Sequence, residues 1–343
     1  MKYYSLIISL VFFSFFSCTT NPEVLTIRGN QFYLNGENIG MWGIRVASAS
    51  QSDENTDKLI SVLDEYKSHG VNSINVYVQG SSGGFSDPFI DNGKDIQEDH
   101  LRRLLRIVEE CEKRSIVPVV GIFYQRAMAG YDSVRNLESR EDVYHAVETV
   151  TTRLMPYRNL IINIANEQNS SIYRHFKALD FTDPQHIISL CMHVKKIDPE
   201  RIVGGGGYDD SLNIIIGKSN YVDVLLFDTF SKDVEMNHHS AWHYDYFREK
   251  GVPDKPFINV EIFGGWTKKF MPPGVFTKEG KDLHIREIEV AMERPGLQVQ
   301  FHSNPWCQGP SVGHPIRYEL AGDGTEEDPG IRWWFEYLKK FSR

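Results

Sequence analysis

Asn163-Ile164-Ala165-Asn166-Glu167 closes the apolar run Leu160-Ile161-Ile162-Asn163-Ile164-Ala165, so a carboxylate stands where a buried strand opens into a loop. Phe257-Ile258-Asn259-Val260-Glu261 repeats the arrangement later in the chain, followed by Gly264-Gly265-Trp266. A buried strand seldom ends on a carboxylate that has no use, because desolvating the charge costs several kcal/mol unless it is paired. In a parallel sheet, two strand-end carboxylates face the same edge, where paired acid and nucleophile chemistry can be built.

Working outward, apolar runs recur at Ser73 to Val78, Ile116 to Phe123, Arg201 to Gly205, Val222 to Phe227 and Leu297 to Phe301. Most starts lie about 35–45 residues apart, the period of successive strand, helix and loop units. Ile39 to Ile44 reads as the first of these strands, preceded by a hairpin of Val24 to Ile27 and Gln31 to Leu34 with turns at Gly29-Asn30 and Asn35-Gly36. Helical stripes fill the gaps: Leu59, Val62, Leu63 and Tyr66 form one, and Leu101, Leu104, Leu105 and Val108 another. Asp99 marks one helix start, and Ser139 with Asp142 marks that of Val143 to Leu154. The interval between Gly205 and Val222 holds only a short helix around Leu212 to Ile216, so an unclosed α/β sheet competes with closure at that point. The expected fold is α/β, a (β/α)8 TIM barrel with a short N-terminal β-hairpin.

Lys2 followed by the apolar stretch Leu6 to Phe16 reads as a targeting segment too short to span a bilayer. Phe15-Phe16-Ser17-Cys18 resembles a bacterial lipoprotein box, which implies lipidation of Cys18; ordinary secretion is the competing reading. The domain expectation is therefore residues 1–17 as a lipoprotein signal peptide, 18–23 as a short tether and 24–343 as one barrel domain. The protein is then expected at the cell envelope, outside the cytoplasm, touching the membrane only through this anchor.

The formal net charge of -9 disfavours a nucleic-acid partner, which needs a basic face, and more weakly disfavours polyanionic glycans. Beyond Cys18, the widely spaced Cys111, Cys191 and Cys307 suggest neither a disulfide framework nor a zinc site. His238, His239 and His243 cluster near Trp242, but no HExxH pattern accompanies them, and a solvated helix start or cleft rim explains them. Gly204-Gly205-Gly206-Gly207 lacks the Lys-Ser/Thr of a phosphate cradle and reads as a close-packed strand exit. No metal and no cofactor is expected, and the sequence leaves the oligomeric state open.

With these residues in view, the chain resembles glycoside hydrolase clan A, the retaining barrel hydrolases that include cellulase-like and mannanase-like families. The resemblance spans about residues 30 to 310. Phe32-Tyr33-Leu34-Asn35-Gly36-Glu37-Asn38-Ile39 is similar to the entry of those catalytic domains, and His69-Gly70-Val71-Asn72-Ser73-Ile74 to their approach to the second barrel strand. Asn166-Glu167 matches the Asn-Glu pair ending the fourth barrel strand, which implies Glu167 as acid/base. Glu261 matches the nucleophile ending the seventh. Asn166 is then implied as a donor to the sugar 2-hydroxyl.

The sequence also departs from the clan pattern. Gln168 stands where Pro often follows the Asn-Glu pair, and Phe227-Asp228-Thr229-Phe230 stands where a His-x-Tyr group is frequent. The second strand offers Asn75 and Tyr77 in place of Arg, leaving Arg45 as a substitute from the first. Arg45, Tyr77 and Tyr208 are expected to help hold the nucleophile ionised and, with Asp228, to contact substrate. Trp306 in His302-Ser303-Asn304-Pro305-Trp306 is expected to stack on a sugar, with Trp42, Trp266 and His302 as further contacts. The expected activity is cleavage of a β-glycosidic bond in a neutral or lightly charged oligo- or polysaccharide. A catalytically silent glycan-binding barrel lipoprotein competes with it, because the strand-two Arg is missing. An α/β esterase lacks its Gly-x-Ser-x-Gly elbow.

Overall fold

Asn35 and Gly36 take positive φ angles of 54° and 89°, the geometry an Asn-Gly pair adopts at little cost, and so turn the chain tightly near its start. In the computed structural model, residues 23–130, 136–265, 272–303, 306–307 and 315–341 are described. The proposed signal peptide, Cys18 and Trp266 lie outside them. Strands β1 (Leu25–Arg28), β2 (Gln31–Leu34) and β3 (Glu37–Ile39) form an antiparallel sheet. The expected hairpin is thus present, extended by a third strand.

The barrel begins with β4 (Trp42–Arg45) and β5 (Ser73–Tyr77). Two small hairpins follow, β6 (Gly80–Ser81) with β7 (Gly84–Phe85) and β8 (Phe89–Ile90) with β9 (Asp95–Ile96). The remaining barrel strands are β10 (Val117–Phe123), β11 (Ile161–Ala165), β12 (Ile202–Gly205), β13 (Val224–Asp228), β14 (Phe257–Glu261) and β15 (Leu297–Phe301). All eight pair in parallel, and β15 pairs with β4 to close the ring, so the open-sheet alternative is excluded.

One boundary differs from the sequence reading. Ile39 pairs with Phe32 in the N-terminal sheet rather than opening the first barrel strand, which starts at Trp42 and ends on Arg45. The N-terminal sheet plugs the bottom of the barrel: Leu25, Phe32, Leu34 and Met41 pack with Val117, Ile161, Ile202 and Ile258 from the strand starts. Burying each such side chain contributes about 1.5–3 kcal/mol, so the plug supports the barrel rather than decorating it. Ser115 Oγ donates to Glu23 at 2.5 Å and Leu25 N donates to the Arg158 carbonyl at 3.0 Å, which fixes the start of the described chain at this bottom face.

Outside the barrel, Leu59, Leu63 and Tyr66 of the helix Asp53–Ser68 are buried, and Ser52 caps it by accepting from Asn55 N. Ser139 and Asp142 form the expected capping box on the helix Arg140–Leu154. The cramped unit holds the eight-residue helix Asp210–Gly217, capped by Asp209. It fits because Gly204 and Gly206 let the neighbouring strand close in: a Cβ would meet the Val224 carbonyl at 2.3 Å and the Leu226 carbonyl at 1.8 Å. The three cysteines are buried and unpaired with one another.

The histidine cluster resolves into separate tasks. His239 caps the helix Ser240–Glu249, while His238 stacks on Trp242 at 3.6 Å. His243, expected on a solvated helix start or cleft rim, is instead buried between Asp210 at 3.0 Å and Asp233 at 3.4 Å. Burial disfavours its charge, but the two carboxylates prevail and push its pKa up to about 9. The ion pairs therefore stabilise the fold fully below the unfolded histidine pKa, and that contribution is lost as pH rises through about 9. His243→Gln is expected to lower the melting temperature clearly at pH 6 and little at pH 10. Equal losses at both would remove the charge from the account. Among the described residues no group of His, Cys, Asp and Glu is placed to hold a metal ion.

Candidate active site

Parallel strands bring their C-terminal ends together, so Arg45, Glu261 and Asp228, the last residues of β4, β14 and β13, converge on one face with Asn166 and Glu167 just past β11. Arg45 is only 1% exposed, and its Nη1 lies 2.8 Å from Glu261 Oε2. Its Nη2 donates to Asn166 Oδ1. One buried guanidinium thus ties the two carboxylate-bearing strands together. Burial alone would push the Arg45 pKa down, but Glu261, Tyr77, Asp228 and Glu167 raise it instead, so the cation is permanent.

Glu261 is held from several sides. His302 Nδ1 is 3.2 Å from its Oε1, and Asn259 Oδ1 accepts its backbone N–H at 3.1 Å. Asn259 is locked in turn by donating to Thr229 Oγ1 at 2.9 Å and Ser240 Oγ at 2.7 Å. Such support keeps a reacting group in one geometry.

Glu167 is half-buried and sits at φ 44°, a left-handed conformation that costs a non-glycine residue of order 1 kcal/mol. Ser170 N donates to the Glu167 carbonyl at 2.7 Å and Gln168 N to the Gly206 carbonyl at 3.3 Å, which holds that turn. Gln125 Nε2 donates to Glu167 Oε2 at 2.7 Å, and Asn166 Nδ2 to the same oxygen at 2.9 Å. Burial first, and then the charge of Glu261, push its carboxyl pKa up to about 7 against the pull of Arg45 and the two amides. Glu167 and Glu261 therefore occupy opposite electrostatic settings: one carboxyl is driven toward its acid form, the other is paired to a permanent cation.

Tyr77, the last residue of β5, is fully buried beside Arg45, its ring 5.2 Å from the guanidinium and its hydroxyl accepting from Asn163 Nδ2 at 3.0 Å. Gly121 makes room for it, since a Cβ there would fall 1.9 Å from the ring. Tyr77 packs against Arg45 and, fully buried, presents no open face to the cleft. Tyr208 packs edge-on against Phe230 at 4.7 Å and lines a cavity of about 360 Å³ with Glu167, Ser231 and Lys232. Asn166 has both amide hydrogens committed, to Gln125 Oε1 at 3.0 Å and to Glu167. A donor bond from it to a sugar hydroxyl requires one of these to be released.

Like Tyr77, two tryptophans expected to contact sugar fail on placement, and His302, fully buried against Glu261, supports the nucleophile instead of presenting a face to sugar. Trp306 is 1% exposed; its indole N–H donates to the Glu319 carbonyl at 2.8 Å, Arg317 lies 5.0 Å from its ring centre, and Gly274 packs against its edge. A ring covered in this way is core and offers no stacking face. Trp42 is the first residue of β4, whereas Arg45 is its last, so Trp42 sits at the opposite end of the barrel near Gly70, Asn72 and Phe341. Gln125, missed in the sequence, is buried as the first residue of the short helix Gln125–Ala129 after β10 and is the main neutral anchor of Glu167. Its only sequence signal was position, two residues past an apolar strand, like the Glu167 offset from Ala165.

No family model and no curated sequence matches the chain. Among solved structures it is similar to a glycoside hydrolase family 5 structure from Bacteroides vulgatus, at 13% identity over 93% of this chain and 71% of that one, with a TM-score of 0.65. It is also similar to a β-1,4-D-mannanase from Cryptopygus antarcticus, at 14% identity over 92% and 94% of the two chains and a TM-score of 0.57. A β-mannanase from the blue mussel Mytilus edulis aligns over 93% and 97% at 15% identity and a TM-score of 0.57. Similarity at this level establishes the shared barrel fold.

Proposed function

We propose that this chain is a retaining glycoside hydrolase in which Glu261 is the nucleophile and Glu167 the acid/base. The observation that carries this reading is the pair of strand-end carboxyls joined through Arg45 and Asn166 yet held in opposite settings. Glu261 attacks the anomeric carbon while Glu167 gives its proton to the departing glycosidic oxygen, so the sugar–oxygen bond breaks as the ester to Glu261 forms. Glu167, now ionised, takes a proton from water. That water attacks the same carbon and frees Glu261 with net retention. The silent-barrel alternative rested on a missing cation on the second strand, and Arg45 supplies one from the first.

This reading carries a pH dependence. The acid form of Glu167 is needed in the first step, so kcat/KM is expected to fall about tenfold per unit above about pH 7, and to fall again at acid pH where Glu261 takes up a proton. Glu167→Gln should lose most activity on substrates with poor leaving groups and lose this alkaline limb on activated aryl glycosides. An unchanged limb in Glu167→Gln would assign it to another group. Assay of aryl β-glycosides and β-linked oligosaccharides separates the enzyme from a binder, which would retain sugar affinity without releasing product.

The lipid anchor belongs to the same proposal. Residues 19–22 between Cys18 and Glu23 reach at most about 15–20 Å when extended. Glu23 lies at the barrel bottom, opposite Glu167 and Glu261. Acylation of Cys18 would hold that bottom face toward the bilayer and aim the cleft outward, toward soluble chains. Fatty-acid labelling of the wild type, absent in Cys18→Ala, is the expected result; labelling of both would remove Cys18 as the anchor.

A further inference from the structure

Asp228 is a third carboxyl in the site, and the catalytic cycle described above gives it no task. It pairs in register with Glu261 across β13 and β14, at a one-residue irregularity in the ladder that brings the two strand-end acids side by side. It is 4% exposed and Glu261 5%, and each is the last residue of its strand, so the two acids stand at the same end of the barrel. Its backbone is fixed, with its N–H donating to the Gly207 carbonyl at 3.1 Å. Its Oδ1 nevertheless has no hydrogen-bond partner among the described residues.

A buried carboxyl oxygen left unsatisfied costs roughly 1–3 kcal/mol, which is tolerated where a ligand completes the bond. One other polar atom on the barrel interior shares this condition: Asn163 Oδ1 is buried without a hydrogen-bond partner among the described residues. The charge balance points the same way. Glu167, Asp228 and Glu261 surround one Arg45, with Tyr77, Tyr208 and, against Glu261, His302 as further titratable groups among the described residues. Burial, and then Glu261 and Glu167, push the Asp228 carboxyl well above the usual carboxylate range, with Arg45 opposing. A protonated carboxyl offers both a donor and an acceptor, the pair that matches a sugar hydroxyl.

We propose that Asp228 contacts substrate by reading a free hydroxyl of the glycosyl unit seated against Glu261, and that it restricts this position to an uncharged sugar. The inference rests on Glu261 being the nucleophile. A uronic acid or sulfate on that ring would bring a second negative charge beside Glu261, whose counter-charge on Arg45 is already committed to it. The test uses the full-length protein with aryl β-glycosides of the accepted sugar, its deoxy analogues at each ring position, and the matching glycosiduronic acid. Wild type is expected to lose about 30–100-fold in kcat/KM on one deoxy analogue. Asp228→Ala should lose a similar factor on the parent glycoside and nothing further on that analogue, while Asp228→Asn loses only about 3–10-fold. The glycosiduronic acid should be rejected by wild type. Parent activity unaffected in Asp228→Ala, or a loss that no deoxy analogue absorbs, would overturn the contact; turnover of the glycosiduronic acid at the parent rate would overturn the restriction. Should Asp228→Ala fail to fold, the deoxy series on wild type and Asp228→Asn decides the contact. If Glu261→Gln stays active, the nucleophile reading has failed; if it is inactive and the deoxy series is flat, only the Asp228 contact has.

Discussion

Glu261→Gln is expected to lower kcat by about 10⁴-fold or more while the circular dichroism spectrum stays that of the wild type. The amide keeps the shape of the carboxylate and can still accept from Arg45, so the packing around β14 is retained. What it loses is the charge that attacks the anomeric carbon. Alanine is the harsher probe, because it leaves the Arg45 guanidinium facing a hole as well as removing the nucleophile. Turnover in Glu261→Gln within about tenfold of wild type would take Glu261 out of the chemistry.

Arg45→Met is expected to produce the largest combined loss of stability and activity of any single change in the site. The guanidinium is 1% exposed and is the shared partner of Glu261 and Asn166, so its removal leaves a buried carboxylate without its counter-charge. Breaking a buried pair from one side costs about 3–5 kcal/mol. The remaining acids then lack the nearby cation that opposes their mutual repulsion, which favours their neutral forms. A protonated Glu261 is a poor nucleophile, so activity falls with stability. Denaturant unfolding at pH 5 and pH 8 checks this: the deficit should be larger at pH 8, where the acids are under more pressure to ionise. A variant as stable as wild type at both pH values would contradict the role given to Arg45.

The two glutamates and most barrel strands were legible because their signals are local. Leu297 to Phe301 alternates apolar residues with Gln298 and Gln300 over the length of a strand, and Leu160 to Ala165 differs from β11 by one residue. Ile39 was misplaced because an apolar residue near Gly40 fits either the N-terminal sheet or the barrel, and only the pairing with Phe32 decides. Trp306 was misread for a related reason. An aromatic just past the last strand suits a sugar platform or a core, and its burial depends on Gly274, Arg317 and Glu319 folding over it. Trp42 shows the limit of residue type as evidence, since one strand carries Trp42 at the bottom and Arg45 at the top. Gln125 carried no composition signal, because its task exists only where β10 and β11 lie side by side.

The central claim is that a covalent sugar ester forms on Glu261. Incubation with activated 2-deoxy-2-fluoro glycosides, in several sugar configurations, followed by peptide mapping of the inactivated protein, reads that ester directly. The account predicts that one configuration adds a single fluoroglycosyl mass to the peptide containing Glu261, and that Glu261→Gln takes up none. Label on any other carboxylate, or steady turnover of an accepted sugar with inversion at the anomeric carbon, would contradict it.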